Sequence, residues 1–307
     1  MTCTLNLTST GYTSDRKDPG CDIGATKTGH YKVGGVQAWS IQQVTTKGEF
    51  VKTVGSIDGG VTANNGTTFV VFNRDQYINN FTADLIGPND GNDWVFVDNE
   101  VKKAGALPTS IAEFKNFTVN LGDESAPPGP TSTDNDIFYV GTAKVQASSG
   151  GTPTAGTPTV IQGGNTVGNE VSVDYVADQV TANMGKGNDS VVYGGANIVA
   201  GATKTSITNT VSNMGTGSDS VGFNQVQAIG AGNVINLGTD SDIDTVNFVN
   251  YKAGVNQFNA GSSTTINNFG TDDILIIGGA SNKAGTGKAG AQQLVTDLGL
   301  TSFITIT

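Results

Sequence analysis

Met184-Gly185-Lys186-Gly187-Asn188-Asp189-Ser190-Val191-Val192-Tyr193 and Met214-Gly215-Thr216-Gly217-Ser218-Asp219-Ser220-Val221-Gly222-Phe223 are two copies of one pattern, thirty residues apart. An apolar residue and a Gly open it, a small polar loop ends in Asp, and an alternating apolar strand follows. Looser copies run from Ile86 to Phe96, Leu121 to Tyr139, Leu237 to Phe248 and Phe269 to Ile276. Asp189, Asp219, Asp244 and Asp273 follow one another at intervals of thirty, twenty-five and twenty-nine residues. After each comes a pair of apolar residues two apart: Val191 and Tyr193, Val221 and Phe223, Val246 and Phe248, Leu275 and Ile277. Residues spaced by two share one face of a strand. Asp93 with Val95 and Val97, and Asp136 with Phe138 and Val140, fit the same template upstream. Self-similarity at this period predicts stacked β-rungs, each of two or three short strands joined by Gly/Asn corners.

Composition agrees. Of 307 residues 43 are Gly, and only 14% are charged, against the usual share of about 25%. Helix formers are scarce, while Val, Thr and Ile recur, which favours strands and tight turns. A hydrophobic share of 36% argues against general disorder. The fold class expected is all-β. A β-rich N-terminal assembly domain (1–150) precedes a Gly/Asn/Asp-repeat β domain (151–307), built as a β-solenoid or, second, an elongated β-sandwich.

In the first unit Val33–Val44, Phe50–Ile57 and Thr67–Phe72 read as strands, with Asp58-Gly59 and Asn65-Gly66 as turns. Thr109–Phe117 reads as a short helix capped near Thr109 or Ser110. Ser125–Pro130, with three prolines, and the Gly/Thr/Pro-rich 148–159 read as linkers, which places the boundary near 150–160. Ala196–Ala200 and Asn233–Leu237 are second strands within rungs. Near the end, Ala291–Leu298 reads as a short helix and Thr301–Thr307 as a closing strand that needs a cap or a neighbouring subunit at its edge.

The net charge is −11 and only Arg16 and Arg74 are arginines, so phosphate-rich nucleic acid is not an expected partner; divalent cations are the more natural counter-charge. No apolar run approaches the roughly 18 residues of a membrane span, and Met1–Thr10 lacks the marks of a Sec signal. Cys3 and Cys21 suit either a staple of the N-terminus or reduced structural thiols. His30 is the only histidine, and no nucleophile motif surrounds a Ser or Cys, so no catalytic residues are assigned and an enzyme is not expected. Trp39 and Trp94 lie in alternating segments and read as core or interface anchors rather than sugar platforms.

Two resemblances bear on function. Gly185-Lys-Gly187-Asn-Asp189-Ser-Val191 and its copy around Asp219 resemble the nonapeptide of RTX calcium β-rolls. That likeness implies Ca²⁺ as cofactor, with Gly187, Asp189, Gly217 and Asp219 at metal sites through carbonyl and carboxylate oxygens. The copies depart from the RTX pattern in having Met184 or Met214 for the first Gly and in not being tandem, and the same residues are also good turn chemistry. The opening Met1-Thr-Cys3-Thr-Leu, then Asp15–Asp18, Cys21 and Gly34-Gly35-Val36-Gln37-Ala38-Trp39-Ser40-Ile41, resembles tailed-phage structural proteins, tail-tube-like ones included. It implies a non-catalytic virion subunit whose partners are copies of itself and other structural proteins. The alternative is an RTX-like secreted or cell-surface protein, of surface-layer or adhesion type, located outside the cell.

Overall fold

The computed structural model describes residues 4–8, 12–14, 23–33, 36–43, 55–63, 68–72, 76–86, 92–97, 100–102, 112–122, 135–140, 170–172, 175–193, 206–223, 228–249, 251, 258 and 261–307. Cys3, Cys21, Asn65-Gly66, Ala196–Ala200 and both expected linkers lie outside them.

Strands dominate, so the protein is all-β. In chain order they are β1 (Thr4–Leu7), β2 (Tyr12–Ser14), β3 (Ile23–Val33), β4 (Val36–Gln43), β5 (Gly55–Ala63), β6 (Phe69–Phe72), β7 (Gln76–Asp84) and β8 (Trp94–Val97). There follow β9 (Glu100–Lys102), β10 (Ala112–Asn120), β11 (Ile137–Val140), β12 (Glu170–Ser172), β13 (Tyr175–Asn183), β14 (Ser190–Tyr193), β15 (Ser206–Thr208) and β16 (Val211–Asn213). The last are β17 (Ser220–Phe223), β18 (Ala228–Ile229), β19 (Asn233–Asn236), β20 (Thr245–Phe248), β21 (Thr264–Asn267), β22 (Ile274–Ile277), β23 (Ala280–Ser281) and β24 (Ile304–Ile306), with helix α1 (Gly287–Asp297) before β24.

From β4 to β22 the chain passes back and forth between two long sheets. The first runs β2-β1-β5-β7-β10-β13-β16-β19-β21-β24, with β15 and β18 beside it; the second runs β23-β22-β20-β17-β14-β11-β8-β6-β4-β3. Neighbours inside each sheet are parallel. Among the described residues antiparallel pairs occur only at the ends, as β1–β2, β3–β4 and β22–β23, and in the separate pair β9–β12. The sheets are therefore mixed, and their antiparallel members close the two ends.

Alternation sets which side chains face inward. Val191, Tyr193, Val221, Phe223, Val246 and Phe248 are all buried, as the repeat predicts. They join one apolar core that contains residues from Leu5 to Ile306. Within it Phe138, Tyr193, Phe223 and Phe248 form a column, and the Phe223 and Phe248 rings stack 4.9 Å apart and nearly parallel. Equivalent rungs place equivalent rings over one another, and offset stacking adds to the gain from burial. The second sheet is different toward its N-terminal end: β6, β8, β11 and β14 are buried on both faces. Phe69, Val71, Trp94, Phe96, Ile137 and Tyr139 belong to a smaller cluster on the other side of that sheet. Trp39 sits in the main core and Trp94 in this second one.

In the two sheets β10 pairs with β13 and β11 with β14.

Two local expectations need correction. Thr109–Phe117 was expected to be helical, but Ala112–Asn120 is β10: pairing on both sides with β7 and β13 overrides the helical preference of Ala, Glu and Lys. Asp58-Gly59 does not end a strand; it lies inside β5, where the register shifts between Ile57 and Gly59. Near the N-terminus β1, β2 and β3 add strands to both sheets.

Residues of left-handed backbone recur across the first sheet. Asn80 (φ 54°), Asn116 (φ 50°) and Gln179 (φ 57°) are left-handed residues in the middle of β7, β10 and β13. Asn209 (φ 51°) lies between β15 and β16, and Gly232 (φ 75°) lies between β18 and β19. Asn tolerates this conformation better than most residues. The Asn116 amide donates to Asn80 Oδ1 at 2.9 Å, tying one bend to the next. Helix α1 and β24 occupy the C-terminal end, where Ala291, Val295, Leu300 and Ile304 are buried, as the expected closing helix and strand require.

Candidate functional site

The Asp that closes each repeat loop sits one residue before a strand of the second sheet, at the corner between sheets. Asp93, Asp136, Asp189, Asp219, Asp244 and Asp273 are all buried. Their carboxylates form a column. Oδ1 of Asp93 accepts the Thr68 N–H (2.5 Å), and Oδ1 of Asp136 accepts the Asp93 N–H (2.7 Å). The series continues with Asp189 accepting from Asp136 (2.9 Å), Asp219 from Asp189 (2.8 Å), Asp244 from Asp219 (2.9 Å) and Asp273 from Asp244 (3.0 Å). At the last rung Asp273 Oδ2 also accepts the Gly270 N–H at 2.6 Å. Asn282 then stands in for the missing next rung: its amide donates to the Asp273 carbonyl and its Oδ1 accepts the Leu275 N–H.

The physical role follows. A corner breaks the strand ladder and leaves backbone N–H groups buried, and a buried unpaired N–H is costly. A short carboxylate on the rung below reaches each one.

Crowding carboxyl groups in the core has an electrostatic consequence. Burial, with the Asp189 charge next, pushes Asp219 up to about 9, although the Asp189 N–H opposes the shift. Burial also pushes Asp244 up to about 7; the Asp219 N–H opposes it, and the charges of Asp273 and Asp240 reinforce it. At neutral pH Asp219 therefore holds a proton, and its Oδ2 is buried with no hydrogen-bond partner. A raised carboxyl pKa suits a general acid, but that role also requires reach to a substrate. Asp219 is only 2% exposed.

The four residues implied as metal ligands come together in adjacent rungs, and the strands that carry them are bonded backbone to backbone through the neighbouring Gly185 and Thr216. The Gly185 carbonyl accepts the Thr216 N–H, and the Gly187 N–H donates to the Thr216 carbonyl, each at 2.9 Å. Gly215 (φ +99°) and Gly217 (φ +123°) lie so close to the rung above that an added Cβ would fall 1.6 Å from the Gly185 oxygen or 1.7 Å from the Gly187 oxygen. Glycine is thus required at both positions for close stacking and for the left-handed backbone. Asp189 Oδ1 and Asp219 Oδ1 are occupied by the column. Among the described residues no group of three or more His, Cys, Asp or Glu side chains is placed to hold a metal ion.

A second column, not foreseen from sequence, lines the outer face of the first sheet. Asn183 Nδ2 donates to Asn120 Oδ1 (2.7 Å), Asn213 to Asn183 (2.6 Å), Asn236 to Asn213 (2.6 Å) and Asn267 to Asn236 (2.7 Å). The Thr307 hydroxyl ends it by donating to Asn267 Oδ1 at 2.6 Å. The signal was present: each of these Asn residues stands just before the apolar residue, or in one case the Asn-Phe pair, that opens a repeat loop.

No helix among the described residues is long and apolar enough to cross a membrane, which says nothing of a β-barrel. No family model, curated protein or solved structure matches the chain.

Proposed function

We propose that the chain is a β-solenoid scaffold, a non-catalytic structural subunit that assembles with copies of itself and other structural proteins into a phage particle. One observation carries the scaffold reading: the repeated polar side chains, Asp in one column and Asn in the other, are used to bond one rung to the next. Side chains committed in this way stiffen a stack, and stacked rungs with continuous ladders make extended, self-supporting shapes. The alternation of strands between two sheets whose inner neighbours are parallel supports a solenoid over a sandwich. The assignment to a virion rests on the resemblance at the N-terminus. The inward aspartates favour it over an RTX-like surface protein, which would need those carboxylates for calcium. Purified particles from cells carrying the gene test the reading. Mass spectrometry should find the chain in stoichiometric amounts; its recovery only from the culture medium or cell surface would overturn it.

A further inference from the structure

The outer face of the first sheet carries, at the C-terminal ends of its strands, a two-column array. Beside the asparagine column runs a column of β-branched residues two positions earlier on each strand. It comprises Thr82, Thr118 and Thr181, then Val211 and Val234, then Thr265 and Thr305, all in direct register. Thr82 and Thr305 are exposed and the others half-buried. No shift of register interrupts this part of the sheet from β7 to β24. Sheets normally twist, and side-chain ladders are among the few devices that flatten them. Hydrogen bonds of 2.6–2.7 Å between the side-chain amides from Asn120 to Asn267 hold each strand over the last.

The array is chemically narrow. Asp84, aligned with Asn120, is its only charged position, so neither polyanions nor cations find a complementary patch. It carries no aromatic ring on which a sugar could stack. Each ladder Asn still has one amide hydrogen and one lone pair to offer to solvent. These recur along the stack at about 4.8 Å, and the two columns stand about 6.7 Å apart. A second copy of the chain is a poor occupant. The face offers roughly 400 Å² at these spacings, half of the about 800 Å² per partner that stable interfaces bury.

We propose that this face binds ice. Uncharged hydroxyl, amide and methyl groups repeat in two dimensions at intervals close to those of the oxygen rows on a prism face of hexagonal ice. Water held on one rung is then in register with water held on the next. The Thr methyl groups fill the gaps between water molecules, and Val211 and Val234 keep that methyl while losing the hydroxyl. The inference is independent of the particle in which the chain resides.

The full chain should show thermal hysteresis and partition into growing ice. Thr181→Tyr, which places a ring in the middle of the array, should lose most of both. Thr245→Tyr, on the outer face of the other sheet, should keep them, and circular dichroism of both variants should match the parent. Val211→Thr, which restores a hydroxyl to the column, should retain or raise the activity. Absence of hysteresis and partitioning in the parent chain would overturn the proposal, as would equal activity in Thr181→Tyr. Dimerisation abolished by Thr181→Tyr, with no effect of the parent on ice, would assign the face to a second copy instead.

Discussion

Asp219 accepts the Asp189 N–H through Oδ1 at 2.8 Å, while its own N–H donates to Asp244 at 2.9 Å. Each aspartate from Asp93 to Asp244 is thus acceptor to the rung on one side and donor to the rung on the other. A residue that ends a turn in sequence is, in the fold, a link in a column parallel to the strand ladders. The cost is a row of carboxyl groups with little access to water.

That cost makes stability depend on pH. Asp219 titrates at about 9 in the fold and Asp244 at about 7, against 3.8 for each ordinarily. Between those values the folded state binds more protons than the unfolded one, so stability falls as pH rises. The contribution of Asp219 is complete below about pH 4 and lost by about pH 9, and that of Asp244 is lost by about pH 7. The melting temperature should fall from pH 5 to pH 9. Asp219→Asn, neutral at every pH, should flatten the slope; a melting temperature that climbs over this range would refute the account.

The same substitution separates charge from hydrogen bonding. Asn keeps an oxygen for the Asp189 N–H, whereas Asp219→Ala leaves that buried donor unpaired. Denaturant unfolding at pH 6 should show Asp219→Ala less stable by about 1–3 kcal/mol. Asp219→Asn should lie much closer to the parent. Equal losses in the two variants would mean that the Oδ1 bond contributes little.

Gly215 and Gly261 both have positive φ, +99° and +89°, but an added Cβ meets the Gly185 carbonyl at the first and nothing within 4 Å at the second. Gly261→Ala should show only backbone strain, roughly 1–3 kcal/mol. Gly215→Ala should cost clearly more, because two rungs must move apart. Thermal melts of the two variants, side by side, decide the point.

The repeat was legible because apolar residues two apart after each Asp can satisfy only a strand with one buried face. Val191 with Tyr193 and Val246 with Phe248 therefore faced the core as expected. The paired sheets were less legible, since the rungs differ in length. Asp136 and Asp189 are 53 residues apart and Asp189 and Asp219 only 30, yet each pair is one rung apart. Thr109–Phe117 reads as a helix, yet its described part, from Ala112 on, is a strand, because a parallel strand with partners on both sides takes its structure from them. The asparagine column escaped notice because Asn before a glycine turn is ordinary turn chemistry, and only register reveals that Asn183 and Asn213 meet. The direction of the Asp side chains was equally hidden, since a turn Asp facing the solvent and one facing the core have the same neighbours in sequence.

Calcium offers a direct check on that direction. Ligand binding to the folded state raises the melting temperature by mass action. With Asp189 and Asp219 Oδ1 committed to backbone N–H groups, chelator should leave the melting temperature of the intact chain unchanged at pH 7. Calorimetric titration should show no tight site whose loss follows Asp189→Ala. Several tight sites lost in Asp189→Ala and Asp219→Ala would restore the RTX-like reading.

The C-terminal end is closed by α1. Gln292 Nε2 donates to the Ile306 carbonyl at 3.0 Å, and Ala291 and Val295 are buried against the last rung. An open strand edge invites pairing with another chain, and covering it with a helix is a common remedy. Stacked repeats also lose order from their ends, because each rung contacts only its neighbours. Val295→Asp buries a charge under the cap and should detach α1 without melting the middle of the stack. Hydrogen exchange should then speed up in β24 and β21 while the amides of β14 stay protected, and sedimentation should reveal more association than in the parent. Simultaneous loss of protection in all three strands would show instead that the rungs unfold as one cooperative unit.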